Sequence, residues 1–126
     1  MSRFLMDTNI LLWYFLGSDR IDTIKELVGA EISEIFYSPV SLLEIAIKVK
    51  NSKLKLDVNE LHAYAQKYNF IELPLTGDCL KAYLDLPNIH KDPFDHMLLA
   101  QAITSPMRLI TGDSLLADYS SLVMVI

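Results

Sequence analysis

Apolar and polar positions follow two rhythms along this chain of 126 residues. Short, mainly apolar runs read as strands: Arg3-Phe4-Leu5-Met6, Ile35-Phe36-Tyr37, Phe70-Ile71-Glu72-Leu73, Arg108-Leu109-Ile110-Thr111 and Leu122 to Ile126. Between them the apolar spacing lengthens to a helical period. Thr8 to Leu16 predicts a helix ended near Gly17, and Ile21 to Ala30 carries apolar residues at 21, 24, 27 and 28. Ser38-Pro39 opens a helix to about Asn51, with Ser as cap and Pro at the first helical position. Asp57 caps a helix to Asn69 whose stripe falls at 58, 61, 64, 65 and 68. Thr76 or Asp78 caps a short helix to about Leu84, Asp92-Pro93 opens one to about Thr104, and Ser114 to Tyr119 forms a helical turn.

Strands alternating with helices predict an α/β fold, a parallel sheet with helices on both faces. No repeat, linker or low-complexity stretch interrupts the pattern, so one domain over residues 1–126 is expected.

Composition narrows the classes. Apolar residues make up 52% and charged residues 21%, far from disordered composition. The mean hydropathy of +0.28 fits either an apolar face covered by a partner or a well-filled core. Net charge is -5, so a polyanionic substrate would need a local basic patch, divalent cations, or both. Cys79 is the only cysteine, which excludes an intrachain disulfide and thiolate zinc ligation by a cysteine pair. The first residues lack the apolar core of a secretory signal, and the longest apolar run, Ile10 to Leu16, is too short to span a bilayer. A cytoplasmic protein with no membrane contact is expected.

The chemistry lies in the acids. In a parallel sheet, the C-terminal ends of strands and the N-termini of the following helices share one edge, where ligand sites gather. Asp7 and Asp113 directly follow predicted strands, Glu44 lies in the second turn of the helix after the second strand, and Asp95 is in the first turn of the helix at Asp92-Pro93. Four acids distant in sequence are thereby assigned to one edge. Crowded carboxylates raise one another's pKa, and a hard divalent cation relieves that cost while activating water for phosphodiester hydrolysis. Each acid also has a plainer reading: Asp7 and Asp113 as caps, Asp95 as a first-turn acid, and Glu44 as the i,i+4 partner of Lys48. No Walker A loop, GxGxxG, HExxH or GxSxG competes with the acids.

At these residues the chain resembles the PIN-domain nucleases, specifically the VapC-type toxins of bacterial toxin–antitoxin pairs. The resemblance rests on Leu5-Met6-Asp7-Thr8-Asn9-Ile10-Leu11-Leu12-Trp13, on Ser38 to Lys48 around Glu44, on His90 to Ala102 around Asp95, and on Ile110-Thr111-Gly112-Asp113. It implies a three-layer α/β/α sandwich with a mostly parallel central sheet. It further implies a magnesium- or manganese-dependent endoribonuclease with Asp7, Glu44, Asp95 and Asp113 as metal-holding catalytic acids. Thr8, Asn9 and Ser41 match positions that support such acids by hydrogen bonds. A cognate antitoxin and a homodimer are implied as partners. The position after Asp95, often arginine in such toxins, is His96 here; it reads either as a hydrogen-bond donor to RNA or as a surface residue of the helix.

Lys48, Lys50, Lys53 and Lys55 are the densest basic stretch, read as a phosphate-binding rim or as a solvated helix end. Trp13, Tyr14 and Phe15 are assigned to packing ahead of base stacking, and His62 and His90 to no role. Two other readings remain. A phosphatase of the haloacid dehalogenase type also starts with Asp after the first strand but usually needs another Asp two residues on, where this chain has Asn9. A non-catalytic module keeping the same fold would have no reason to retain all four acids.

Overall fold

The computed structural model describes residues 2–28, 33–88 and 91–126; Ala30 and His90 lie outside them, as do the side chains of Leu27 and Val28. The elements, in chain order, are β1 (Ser2–Met6), α1 (Thr8–Phe15), α2 (Ile21–Val28), β2 (Ser33–Tyr37), α3 (Pro39–Lys50), α4 (Val58–Lys67), β3 (Ile71–Glu72), α5 (Cys79–Asp85), α6 (Pro93–Thr104), β4 (Arg108–Thr111), a 3-10 turn (Ser114–Asp118) and β5 (Val123–Val125).

The five strands form one sheet in the order β3-β2-β1-β4-β5, and every described pairing is parallel. Successive strand residues face opposite sides, and the core divides accordingly. Phe4, Met6, Tyr37 and Ile110 pack with Ile10, Leu11, Tyr14, Ile24, Ile45, Leu61 and Ala65 from α1 to α4. Leu5, Phe36 and Leu109 face the other way, onto Leu98, Leu99 and Ala102 of α6 and Leu116 of the 3-10 turn. The result is the expected α/β/α sandwich.

The local signals explain most boundaries. Asp7, Ser38, Asp57, Asp92 and Asp113 each accept a backbone N–H at the start of the element that follows. Gly17 ends the α1 region with φ +69, a left-handed turn that glycine adopts without strain. Two expectations need correction. The third strand is reduced to Ile71–Glu72, with the Leu73 N–H still donating to Tyr37 O at 2.8 Å, because it is an edge strand cut short by Pro74. No side-chain cap closes α5: Asp78 stands at its N-cap in a helical conformation without such a bond, and Thr76 Oγ1 lies 3.7 Å from Cys79 Sγ instead.

What positions the site is the strand order. The chain winds outward from β1 through β2 to β3, then returns to the other side of β1 with β4. The C-terminal ends of β1 and β4 therefore border the point where winding reverses, where open parallel sheets bind ligands. Asp7 and Asp113 follow those two strands.

Candidate active site

Among the described residues Asp7 is the best-buried acid, 3% exposed at the β1–α1 junction. Its backbone N–H donates to Ile110 O at 3.0 Å, which pins it to β4. Its carboxylate accepts from the Ile10 N–H at 2.9 Å and from the Thr111 hydroxyl at 2.6 Å. Burial pushes its pKa up to about 6; those two hydrogen bonds oppose the rise, while the charges of Glu44 and Asp113 add to it.

Asp95 lies in the first turn of α6, and its N–H donates to Asp92 Oδ1 at 3.2 Å. Burial is again the main influence, and Asp92, Asp7 and Glu44 add to it, pushing Asp95 up to about 8. Asp92 thus does two jobs: it caps α6 and it presses electrostatically on Asp95. Sequence reading assigned it only the first.

Glu44 reaches the crevice from α3. Thr8 Oγ1 donates to Glu44 Oε1 at 2.6 Å, and that hydroxyl oxygen also lies 3.1 Å from Ser41 Oγ. Lys48 Nζ stands 3.2 Å from Glu44 Oε2. The i,i+4 ion pair is therefore present, and so is the reach toward the other acids. Asp113 caps the 3-10 turn through Leu115 N at 2.9 Å, and its own N–H donates to Thr111 Oγ1 at 3.0 Å.

Asp95 feels the charges of Asp7 and Glu44, and Asp7 those of Glu44 and Asp113, while Asp7, Glu44 and Asp113 each accept from nearby donors. Among the described residues no three His, Cys, Asp or Glu side chains are gathered closely enough to hold an ion as they stand. The donor set nevertheless fits a hard divalent cation: it is all oxygen, and Asp7 and Asp95 are raised by burial, with neighbouring acids adding to it, a cost that such a cation would relieve.

The supporting and basic residues separate in the structure. Thr8 and Ser41 are buried beside Glu44, whereas Asn9 is exposed on α1. A groove of about 530 Å³ runs from Glu44 and Asp92 along Ile47, Lys48, Asn51, Lys53, Lys91 and Phe94. Lys48 and Lys53 line it; Lys50 and Lys55 are exposed and stand outside it, Lys50 on α3 next to the inward-packed Val49 and Lys55 between the inward-packed Leu54 and Leu56. His96 is buried and bonded to Tyr119 at 2.8 Å, away from the groove. Tyr14 and Phe15 pack in the aromatic cluster with Tyr64 and Phe70. His62 meets Glu72 on the surface at 3.4 Å.

Two contributors escaped the sequence reading. Thr111 read as an ordinary strand residue, although its hydroxyl joins Asp7 to Asp113. Lys91 adds a third cation to the groove, visible only once α6 is placed against α3.

Comparison with known proteins bears on the family and the fold. A family model described as PIN domain matches residues 4–122. No curated protein matches the chain in sequence. Among solved structures, VapBC2 from Rickettsia felis bound to a promoter DNA fragment matches with a TM-score of 0.73 at 15% identity, over 98% of this chain and 97% of that one. A toxin–antitoxin complex from Klebsiella pneumoniae gives 0.67 at 20% identity, over 96% and 95%. DNA-bound VapBC from Salmonella typhimurium gives 0.64 at 14% identity, over 100% and 98%. At these identities the solved structures establish the shared fold.

Proposed function

Because the chain belongs to the PIN-domain family, we propose that it is a magnesium- or manganese-dependent endoribonuclease, the toxin of a toxin–antitoxin pair. The observation that supports this most is the position of Asp7. It is a buried carboxylate at the winding reversal of the sheet, held by two hydrogen bonds and electrostatically tied to Glu44 and Asp113. A structural cap needs neither that burial nor those neighbours.

Asp7, Glu44, Asp95 and Asp113 would hold the cation. When bound, it supplies positive charge to the scissile phosphate and makes an attacking water more acidic. The chain's own groups do the rest. Thr111 and the Ile10 N–H fix the Asp7 carboxylate, and Thr8 fixes Glu44. Lys48, Lys53 and Lys91 supply the local positive charge that the net charge of -5 lacks, along the groove that leads to the acids. Phe94 and Ile47 offer that groove apolar surface against which bases can lie.

Partner and setting follow from the same reading. The similar solved structures are toxin–antitoxin complexes, which supports a cognate antitoxin here. Exposed Leu43, Leu80 and Leu84 offer apolar surface for that antitoxin or for a second copy in a homodimer. Among the described residues no helix is long and apolar enough to cross a membrane, in keeping with a cytoplasmic role.

The direct test incubates RNA with the wild type and Asp7→Asn, each with magnesium, manganese or EDTA. Cleavage by the wild type in either metal, abolished by EDTA and by Asp7→Asn, is expected. Full cleavage by Asp7→Asn would sink the assignment of the acids, and cleavage that survives chelation would sink the metal dependence.

A further inference from the structure

Asp95 and Asp113 belong to elements that no strand pairing connects. Asp95 rides on the first turn of α6, and Asp113 caps a 3-10 turn of five residues. Such a turn has poor hydrogen-bond geometry and little rigidity of its own. Only Leu116 among its residues is fully buried, against the apolar face of α6. Apolar packing holds the two elements together but does not fix how far one slides along the other.

A directional contact also joins them. His96 Nε2 lies 2.8 Å from Tyr119 Oη. His96 directly follows Asp95, and Tyr119 is the C-cap of the turn that Asp113 opens. The imidazole is 7% exposed and is flanked edge-on by Tyr119 and Tyr83, at 5.4 and 6.0 Å between ring centroids. Adjacent helical residues point about 100° apart, so Asp95 can face the acidic crevice while His96 points toward Tyr119. The chain thus closes a loop: Asp95 to His96 through the backbone, His96 to Tyr119 through the hydrogen bond, and Tyr119 back to Asp113 through the turn. Neither His96 nor Tyr119 lines the groove.

We infer that His96 and Tyr119 form a positioning pair that sets the separation of Asp95 and Asp113, and thereby how tightly those acids can grip a divalent cation. The inference rests on the metal-dependent reading above. It gives His96 a task behind the site rather than at the substrate.

The test uses Tyr119→Phe and His96→Phe, which keep the ring packing and remove the hydrogen bond, with His96→Gln, whose side-chain amide can still bond the tyrosine. Mn2+ binding is followed by calorimetry and RNA cleavage by kinetics. Each Phe variant is expected to weaken Mn2+ binding about tenfold, in line with the loss of a group that orients metal ligands. The fall in activity should appear in kcat with KM for RNA little changed. The double Phe variant should weaken binding no further than either single one, because both remove the same bond. His96→Gln should recover most of the affinity. Unaltered Mn2+ affinity in both Phe variants, whatever their Tm, overturns the inference alone and leaves the nuclease reading standing. A wild type that takes up no Mn2+ overturns that reading, and this inference with it.

Discussion

The Thr111 hydroxyl donates to Asp7 Oδ2 at 2.6 Å while its oxygen accepts the Asp113 N–H at 3.0 Å. One side chain on β4 therefore locks the acids at the ends of the two central strands to each other. Thr111→Val keeps the shape and removes both bonds. Asp7 loses an influence that holds its pKa down, so its carboxylate becomes harder to ionise. Metal affinity should fall about 10- to 100-fold, as for other partners that orient ligands. Calorimetry with magnesium or manganese checks this, and an unchanged affinity would count against Thr111 as an organiser of the site.

Asp7→Asn should abolish cleavage yet stabilise the chelated protein. Asp7 rises from 3.8 to about 6 on folding. An acid with a raised folded pKa holds its proton more tightly when folded, so stability falls as pH climbs from about 4 to about 6, and stays low above that. A rise of that size corresponds to about 3 kcal/mol at pH 7. Asn escapes that cost but hydrogen-bonds less well to Thr111 and Ile10, so a net gain of about 1–3 kcal/mol is expected. Urea unfolding in EDTA should show the gain at pH 7 and little of it at pH 4. An equal effect at both values would assign it to packing instead.

Metal binding should release protons. Asp95, pushed up to about 8, is largely protonated at neutral pH and must lose that proton to hold a cation. Affinity for magnesium should therefore increase from pH 6 to pH 8, and cleavage at limiting metal should increase with it. Calorimetry in two buffers of different ionisation enthalpy measures the protons released directly. A pH-independent affinity would mean that the metal displaces no proton from Asp95 in this range, and would count against its raised pKa.

Much of the candidate site's placement was legible because its acids sit at junctions. Asp7, Asp92, Asp95 and Asp113 follow strands or open helices, and the same short-range signals that end one element and start another mark them. Alternating strands and helices then put them on one edge of the sheet. Contacts made across the fold were not legible. Thr111 meets Asp7 from 104 residues away, and only the pairing of β1 with β4 brings them together. His96 reads as an RNA contact or a residue on the helix surface until the 3-10 turn lays Tyr119 against it. The lysine stretch from 48 to 55 reads as one patch, but Val49 and Leu54 within it pack inward, and of its four lysines only Lys48 and Lys53 line the groove. The short pairing of β3 reflects its edge position, which periodicity alone does not reveal.

Gly112 is held small by a neighbour found only in three dimensions. A Cβ there would stand 2.9 Å from Trp13 Cη2, and the indole is itself held under the Arg20 guanidinium, 4.9 Å from the ring centroid. Gly112→Ala must displace the indole or the backbone that presents Asp113. A loss of about 1–3 kcal/mol is expected from this overpacking. A changed Trp13 fluorescence and reduced metal affinity should accompany it. Trp13→Phe removes the clash, so Gly112→Ala in that background should recover affinity; if it does not, backbone displacement rather than the indole carries the defect.

The groove makes a sharper prediction about which lysines touch RNA. Lys53 and Lys91 line it and Lys50 and Lys55 do not, although all but Lys91 belong to the same basic stretch. Lys53→Ala and Lys91→Ala should each raise KM with little change in kcat, because they remove binding shared by ground and transition states. Each should also flatten the salt dependence of binding by about 0.7 in log–log slope, the contribution of one phosphate contact on a single strand. Lys50→Ala and Lys55→Ala should leave both nearly unchanged. Titration of a short single-stranded RNA against catalytically silent Asp7→Asn, across several salt concentrations, separates the two pairs. Equal losses from all four would place the RNA on a diffuse basic surface and leave the groove for another occupant.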